Sequence, residues 1–105
     1  MFTTGFTDVP KDTDQLKKAV AKQPVSVSIN GSILKSYTSG IIKYQDCPAD
    51  ISHGALVTGY NTTASIAYFK LKNSAGADWG ESGYFRLELG KNTCGVLESA
   101  SYPEL

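Results

Sequence analysis

An α+β fold is predicted, with one main helix near the N-terminus and then an antiparallel sheet curled towards a barrel. Three observations predict it. Apolar residues recur at helical spacing just before Pro24. Alternation of apolar and polar residues begins immediately after that proline. The second half then carries three short apolar or alternating runs separated by turn residues. A length of 105 residues fits one domain spanning 1–105, large enough to bury a core of modest margin.

The opening, residues 1–10, mixes aromatics with Thr and turns at Asp8-Val9-Pro10. Asp12 or Thr13 can cap the helix by accepting a backbone N–H. Leu16, Ala19 and Val20 share one face, while Lys17, Lys18 and Lys22 stay wet and suit the C-terminal end of the helix dipole. Pro24 stops the helix. Val25, Val27 and Ile29 then alternate with Ser26, Ser28 and Asn30, which reads as a strand with one apolar face. Gly31 breaks it. Ile33, Leu34 and Tyr37 suggest a short helix or turn, Ile41 and Ile42 a short strand, and 44–52 a loop. Residues 53–60 (HGALVTGY) and 66–72 (IAYFKLK) are strands joined by a hairpin turn at Asn61-Thr62-Thr63. A glycine-rich loop follows over 73–83, of a length more often functional than idle. Residues 84–89 (YFRLEL) alternate again, 90–93 turn the chain, and 94–105 close it with Val96, Leu97 and Tyr102 as anchors.

Composition removes several function classes. Ten basic residues balance ten acidic ones, so there is no basic field for a phosphate backbone and no nucleic-acid partner is expected. No apolar run approaches a membrane span, and no charged-then-apolar leader is legible at the start. Cys47, Cys94 and His53 are the only Cys and His side chains. A structural zinc site usually takes four such ligands, so no metal and no cofactor are expected. The cysteine pair reads either as one disulfide, implying an oxidising compartment, or as two buried thiols.

Taken singly, the chemical candidates are weak. His53 opens a strand beside Gly54, where a histidine is more often structural than catalytic. Asn73 opens the long loop, where Asn is usually a turn former. No Gly-x-Ser-x-Gly elbow, P-loop or dinucleotide fingerprint is present.

Taken together they point to one family. From Phe6 to Pro103 the sequence resembles the C-terminal, His/Asn-bearing half of papain-like cysteine peptidases, closest to the cathepsin L-like branch. The resemblance rests on GFTDVPK (5–11), KKAVAKQPVSVSI (17–29), SGII (39–42), SHGALVTGY (52–60), KLKNSAGADWGESGYFRL (70–87) and CGVLESASYP (94–103), in the family's order.

The resemblance implies roles residue by residue. His53 matches the catalytic histidine, which pairs with a cysteine thiolate and later protonates the leaving amine. Asn73 matches the asparagine that orients the imidazole. Trp79 matches the second tryptophan of the family's Asn-Ser-Trp-Gly-x-x-Trp-Gly motif. Ser28, Gly54 and Ser99 match positions lining the pocket for the substrate side chain two residues before the cut. Cys47 and Cys94 match a pair that forms a disulfide, consistent with a lysosomal or secreted parent. Asn30-Gly31-Ser32 and Asn61-Thr62-Thr63 both fit the glycosylation pattern, with Asn61 the better candidate because it lies in a predicted turn.

Three departures stand out. Ala75 replaces the tryptophan that normally covers the histidine–asparagine hydrogen bond, either as a solubilising change or as drift. Ser52 precedes His53, where Asp or Asn is usual. The nucleophile and oxyanion-hole motifs of the family's other half have no match. The implied partners are therefore an N-terminal half bearing the nucleophilic Cys and a peptide substrate or inhibitor in the assembled cleft. The expected function is the inert half of a cysteine endopeptidase. The alternative is a non-enzymatic binding or scaffold module that keeps the fold.

Overall fold

The computed structural model describes residues 5–104, so the expectations for residues 1–4 and Leu105 lie outside the described residues. Its elements are β1 (Gly5–Asp8), α1 (Thr13–Val20), β2 (Val25–Ile29), β3 (Ile41–Ile42), β4 (His53–Asn61), β5 (Tyr68–Lys72), β6 (Tyr84–Glu88) and β7 (Ala100–Glu104). Short 3-10 turns lie at Ser32–Lys35, Tyr44–Asp46 and Thr93–Gly95. The strands form one seven-stranded sheet in the order β1-β7-β2-β4-β5-β6-β3. All pairings are antiparallel except β3 with β6, which is parallel. The α+β architecture with one helix is as the sequence predicts.

Local chemistry explains the elements. Asp12, in an extended conformation, caps α1 by accepting the Gln15 N–H at 3.1 Å. Leu16 and Val20 are buried on its inner face, against β4. The helix ends at Val20, and the Ala21 N–H turns back to the Lys17 carbonyl before Pro24. Strand β2 alternates as read, with Val25, Val27 and Ile29 buried. Phe69, Leu71, Phe85 and Leu87 from β5 and β6 are fully buried and complete the core with Val57 and Val96. Each such side chain contributes roughly 1.5–3 kcal/mol on burial.

Three boundaries differ from the sequence reading. Strands β1 and β7 pair along their length, although neither segment shows a clear alternation. The connection between β4 and β5 runs from Asn61 to Tyr68 rather than being a tight hairpin. There the Asn61 carbonyl oxygen of the side chain accepts from Thr63 N, Thr63 Oγ1 and Ala64 N, so the turn is held by an Asx motif. The segment after Ile42 is a 3-10 turn at Tyr44–Asp46 rather than plain loop.

The sheet sets the site at one of its ends. His53, the first residue of β4, lies opposite Ile29, the last of β2. Asn73 follows Lys72, the last residue of β5, whose partner on β4 is Leu56. Both side chains thus leave the same end of adjacent strands.

Candidate active site

His53 Nε2 and Asn73 Oδ1 are 2.8 Å apart. The Ser74 backbone N–H also donates to Asn73 Oδ1, at 2.9 Å. A backbone N–H can only donate, so the atom it meets is the amide oxygen and not the amide nitrogen. His53 must then carry its proton on Nε2, which leaves Nδ1 to receive or deliver a proton elsewhere. Asn73 is 9% exposed and His53 is half-buried, so the bond sits at the rim of the core.

The loop after Asn73 is fastened at both ends. The Asn73 N–H donates to the Gly83 carbonyl at 3.0 Å, which closes the loop at its base. Trp79 donates its indole N–H to the Leu34 carbonyl at 3.3 Å and packs on Tyr37 and Phe85, with ring centroids 5.4 and 5.7 Å away. Gly80 permits this approach. Its φ is +58°, and a Cβ there would lie 2.8 Å from the Tyr84 carbonyl. Glu81 receives Arg86 in a two-pronged pair at 2.9 and 2.8 Å and also accepts the Gly40 N–H at 3.0 Å. Arg86 above all holds the Glu81 carboxyl below its usual range. The Tyr37 hydroxyl donates to the Gly40 carbonyl at 2.7 Å. Burial first, and the Glu81 charge second, push the Tyr37 hydroxyl up to about 12. The sequence reading passed over this clamp. Its signal was Glu81 and Arg86 flanking the turn that opens β6, a spacing that lets the two side chains meet across it.

Cys47 and Cys94 are joined by a disulfide, which removes both of the chain's thiols. A reaction using Cys47 with His53 is therefore closed in this state. Ser28 and Gly54 line one open hollow of about 530 Å³ together with Leu56, Lys72 and Asn73. The β2–β7 ladder ends with Val27 paired to Ala100, and Ser99, one residue before Ala100, is exposed. It lines a second hollow of about 490 Å³ between Asp8–Lys11 and Glu98–Ser101. Ala75 is exposed, two residues beyond Asn73.

Asn30 is corrected as a sugar acceptor. It is 5% exposed, and its Nδ2 donates to the Pro48 carbonyl at 3.0 Å, so the folded chain leaves no room for a glycan there. Asn61 is half-buried, and its side-chain oxygen is the atom engaged in the turn. Ser52, noted only as a departure, has a structural task. Its hydroxyl accepts the Gly31 N–H at 3.1 Å while its own N–H donates to the Ile29 carbonyl at 2.9 Å. Among the described residues, no three His, Cys, Asp or Glu side chains converge on a point where a metal would sit. No helix among them is long and apolar enough to cross a membrane.

Comparison with known proteins gives the same pattern. The family model described as papain family cysteine protease matches residues 1–104. The chain is 45% identical over 97 residues to the oryzain gamma chain of Oryza sativa subsp. japonica, covering 86% of this chain and 26% of that protein. It is 47% identical over 96 residues to cysteine proteinase 3 of Solanum lycopersicum, covering 85% of this chain and 26% of the relative. It thus spans about a quarter of the length of these relatives. Among solved structures, digestive procathepsin L 3 of the Tenebrio molitor larval midgut superposes with a TM-score of 0.91 at 40% identity. That match covers 100% of this chain and 36% of the other. A bromelain protease of Ananas comosus, solved with an inhibitor, gives 0.89 at 31% identity, covering 99% of this chain and 51% of the other. With a family match along nearly the whole chain and a shared fold, the chain belongs to the papain family of cysteine proteases.

Proposed function

We propose that this chain supplies the histidine–asparagine half of a papain-type cysteine endopeptidase, with one wall of its substrate cleft, and is inert without a nucleophile-bearing N-terminal half. The observation that carries the reading is the His53–Asn73 bond at 2.8 Å. It fixes the proton on Nε2 and turns Nδ1 into the ring atom available to a thiol. A cysteine placed there by the other half gives its proton to Nδ1 and attacks the peptide carbonyl as thiolate. Nδ1–H then delivers that proton to the departing amine, and Asn73 holds the ring plane through both transfers. Water hydrolyses the resulting thioester, with Nδ1 taking the water's proton. The hollow beside Ser28 and Gly54 receives a substrate side chain.

The disulfide supports a lysosomal, vacuolar or secreted parent, because such bridges persist in oxidising compartments. Asn61 is the remaining candidate for a sugar. A second reading, a scaffold that keeps the fold for binding only, is favoured by Ala75, an exposed methyl group where the family resemblance places a tryptophan.

One experiment separates the two. The chain is mixed with an N-terminal half that carries the family's cysteine and is assayed with a fluorogenic peptide. Turnover that needs both halves, and is lost with His53→Ala or with a thiol alkylator, is expected. Binding of the halves without turnover supports the scaffold. Thiol-dependent turnover by the chain alone overturns the proposal.

A further inference from the structure

We infer that Asn30-Gly31 is a spontaneous deamidation site which the fold holds shut, with the Cys47–Cys94 disulfide as its latch. Asparagine followed by glycine is the most labile asparagine context in a polypeptide. Glycine neither shields its own nitrogen nor restrains the turn that ring closure needs. This pair is the one Asn-Gly of the sequence, since Asn61, Asn73 and Asn92 are followed by Thr, Ser and Thr. In the reaction the Gly31 nitrogen attacks Asn30 Cγ. A C–N bond forms, the Cγ–Nδ2 bond breaks, and Nδ2 leaves as ammonia, taking up the proton that the Gly31 nitrogen gives up. Water then opens the five-membered imide at either carbonyl, which leaves aspartate or isoaspartate at position 30. No oxidant or reductant enters this step.

Each reacting group is occupied in the fold. The attacking nitrogen donates its hydrogen to Ser52 Oγ at 3.1 Å. The leaving group, Nδ2, donates to the Pro48 carbonyl at 3.0 Å. Oδ1, on the carbon under attack, accepts Ser32 N at 3.0 Å and Ser32 Oγ at 2.7 Å. Ring closure has to break these bonds to turn the side-chain amide onto the Gly31 nitrogen, and Asn30 is buried besides. The anchors of Asn30 belong to the bridge. Its N–H donates to the Cys94 carbonyl at 2.8 Å, and Pro48, which takes Nδ2, directly follows Cys47. The Cys47 sulfur lies 3.9 Å from the Asn30 carbonyl oxygen. A dithiol that reduces the bridge gives two cysteine thiols and becomes a disulfide itself. The two anchoring segments are then free to part, and the Asn30 side chain is free to turn. Isoaspartate adds a carbon to the main chain of this corner, beside the Gly31–Ser52 bond that leads into His53. Reduction thus becomes a one-way event once the imide has formed.

The test uses the 105-residue chain and a synthetic peptide of residues 23–35, in which Asn30 is the sole asparagine and which trypsin also releases from the chain. Both are held at mildly alkaline pH, the chain with its bridge intact or with a dithiol present. Mass spectrometry of residues 23–35 reads the conversion of amide to acid, and an isoaspartyl methyltransferase reads isoaspartate. The chain with its bridge is expected to convert about tenfold or more slowly than the peptide, because the reaction waits for local opening. The reduced chain is expected to approach the rate of the peptide. Equal rates in the bridged chain and the peptide overturn the inference, as does an Asn30 that outlasts the peptide's in the reduced chain. Should reduction unfold the whole chain, Ser52→Ala and Ser32→Ala carry the test with the bridge intact. Each loosens one reacting group, and faster conversion at position 30 is expected. The tryptic peptide of residues 73–86 reports Asn73 in the same digest, where no rise is expected. A rise at both positions, or at neither, overturns the role given to this corner. None of these readings needs peptidase activity, so they stand or fall apart from the function proposed above.

Discussion

Asn73 Oδ1 receives two N–H donors at once, from His53 Nε2 at 2.8 Å and from the Ser74 backbone at 2.9 Å. The second donor keeps the amide from flipping, and the first is thereby fixed as a protonated Nε2. A turn-forming asparagine and an imidazole-orienting asparagine are here one residue. Asn73→Ala removes both functions. It is expected to destabilise the chain by about 1–3 kcal/mol, since a largely buried acceptor and its partners lose their match. A urea melt measures the stability, and the ring 15N shifts of His53 should drift towards a tautomer mixture. A variant with wild-type ring signals would mean that the ring is oriented without Asn73.

The Cys47–Cys94 bridge spans 47 positions and fixes the corner that carries Asn30. Chain-entropy arguments give a loop of that length on the order of 4 kcal/mol. The double variant Cys47→Ala, Cys94→Ala should therefore lose about that much stability. Amide exchange should rise first at Asn30, Gly31 and Cys94, ahead of β5 and β6. A uniform loss of protection would show that the bridge stabilises the whole fold without a special hold on this corner.

How far the residues themselves carried these conclusions depends on the range of each interaction. Helix α1 and strand β2 were legible because their signals are local, namely the Asp12 cap, the periodicities and Pro24. Strands β1 and β7 were not, because they are defined by pairing with each other across nearly the whole chain. His53 and Asn73 were weak separately and became a site only through the family resemblance, while their 2.8 Å contact needed the sheet. Ser99 was likewise legible only through its family position, because its place beside Ser28 depends on the pairing of Val27 with Ala100 across β2 and β7. Asn30 matched a three-residue sugar signal, and such a short pattern says nothing about burial.

The Tyr37–Gly40–Glu81–Arg86 clamp makes stability depend on pH at both extremes. Glu81 titrates below its ordinary value of 4.5 in the fold, chiefly through Arg86. Its contribution is full above that value and is lost as pH falls through the lower, folded one. The pair is partly solvated, so this amounts to no more than about 1 kcal/mol. Tyr37 is raised to about 12 from 10.0. Its contribution is full below pH 10 and disappears as pH rises towards 12, because the unfolded chain gives up the proton first. Glu81→Gln should flatten the acid limb of a stability–pH curve, and Tyr37→Phe the alkaline limb. An ultraviolet titration should show a late phenol step near 12 that Tyr37→Phe deletes. Persistence of that step in the variant would assign it to another tyrosine.

Ala75 stands exposed just beyond the His53–Asn73 bond, where the family's indole would lie across it. Ala75→Trp tests what that methyl group means. An indole laid over the pair excludes water and strengthens the bond, because a hydrogen bond gains electrostatically as its surroundings lose polarity. The Nε2 proton of His53 should then exchange more slowly with solvent. The same indole is a large apolar surface on a stretch, residues 74–78, that is otherwise exposed. If Ala75 serves solubility, the variant should self-associate at concentrations where the parent chain is monomeric by light scattering. An equally monomeric variant with a slower Nε2 proton would set the solubility account aside and leave drift. It would also show that the site can still seat the family's side chain. An unchanged exchange rate would mean that the loop from Asn73 to Gly83 no longer brings position 75 over the ring, which would favour the scaffold reading over the peptidase half.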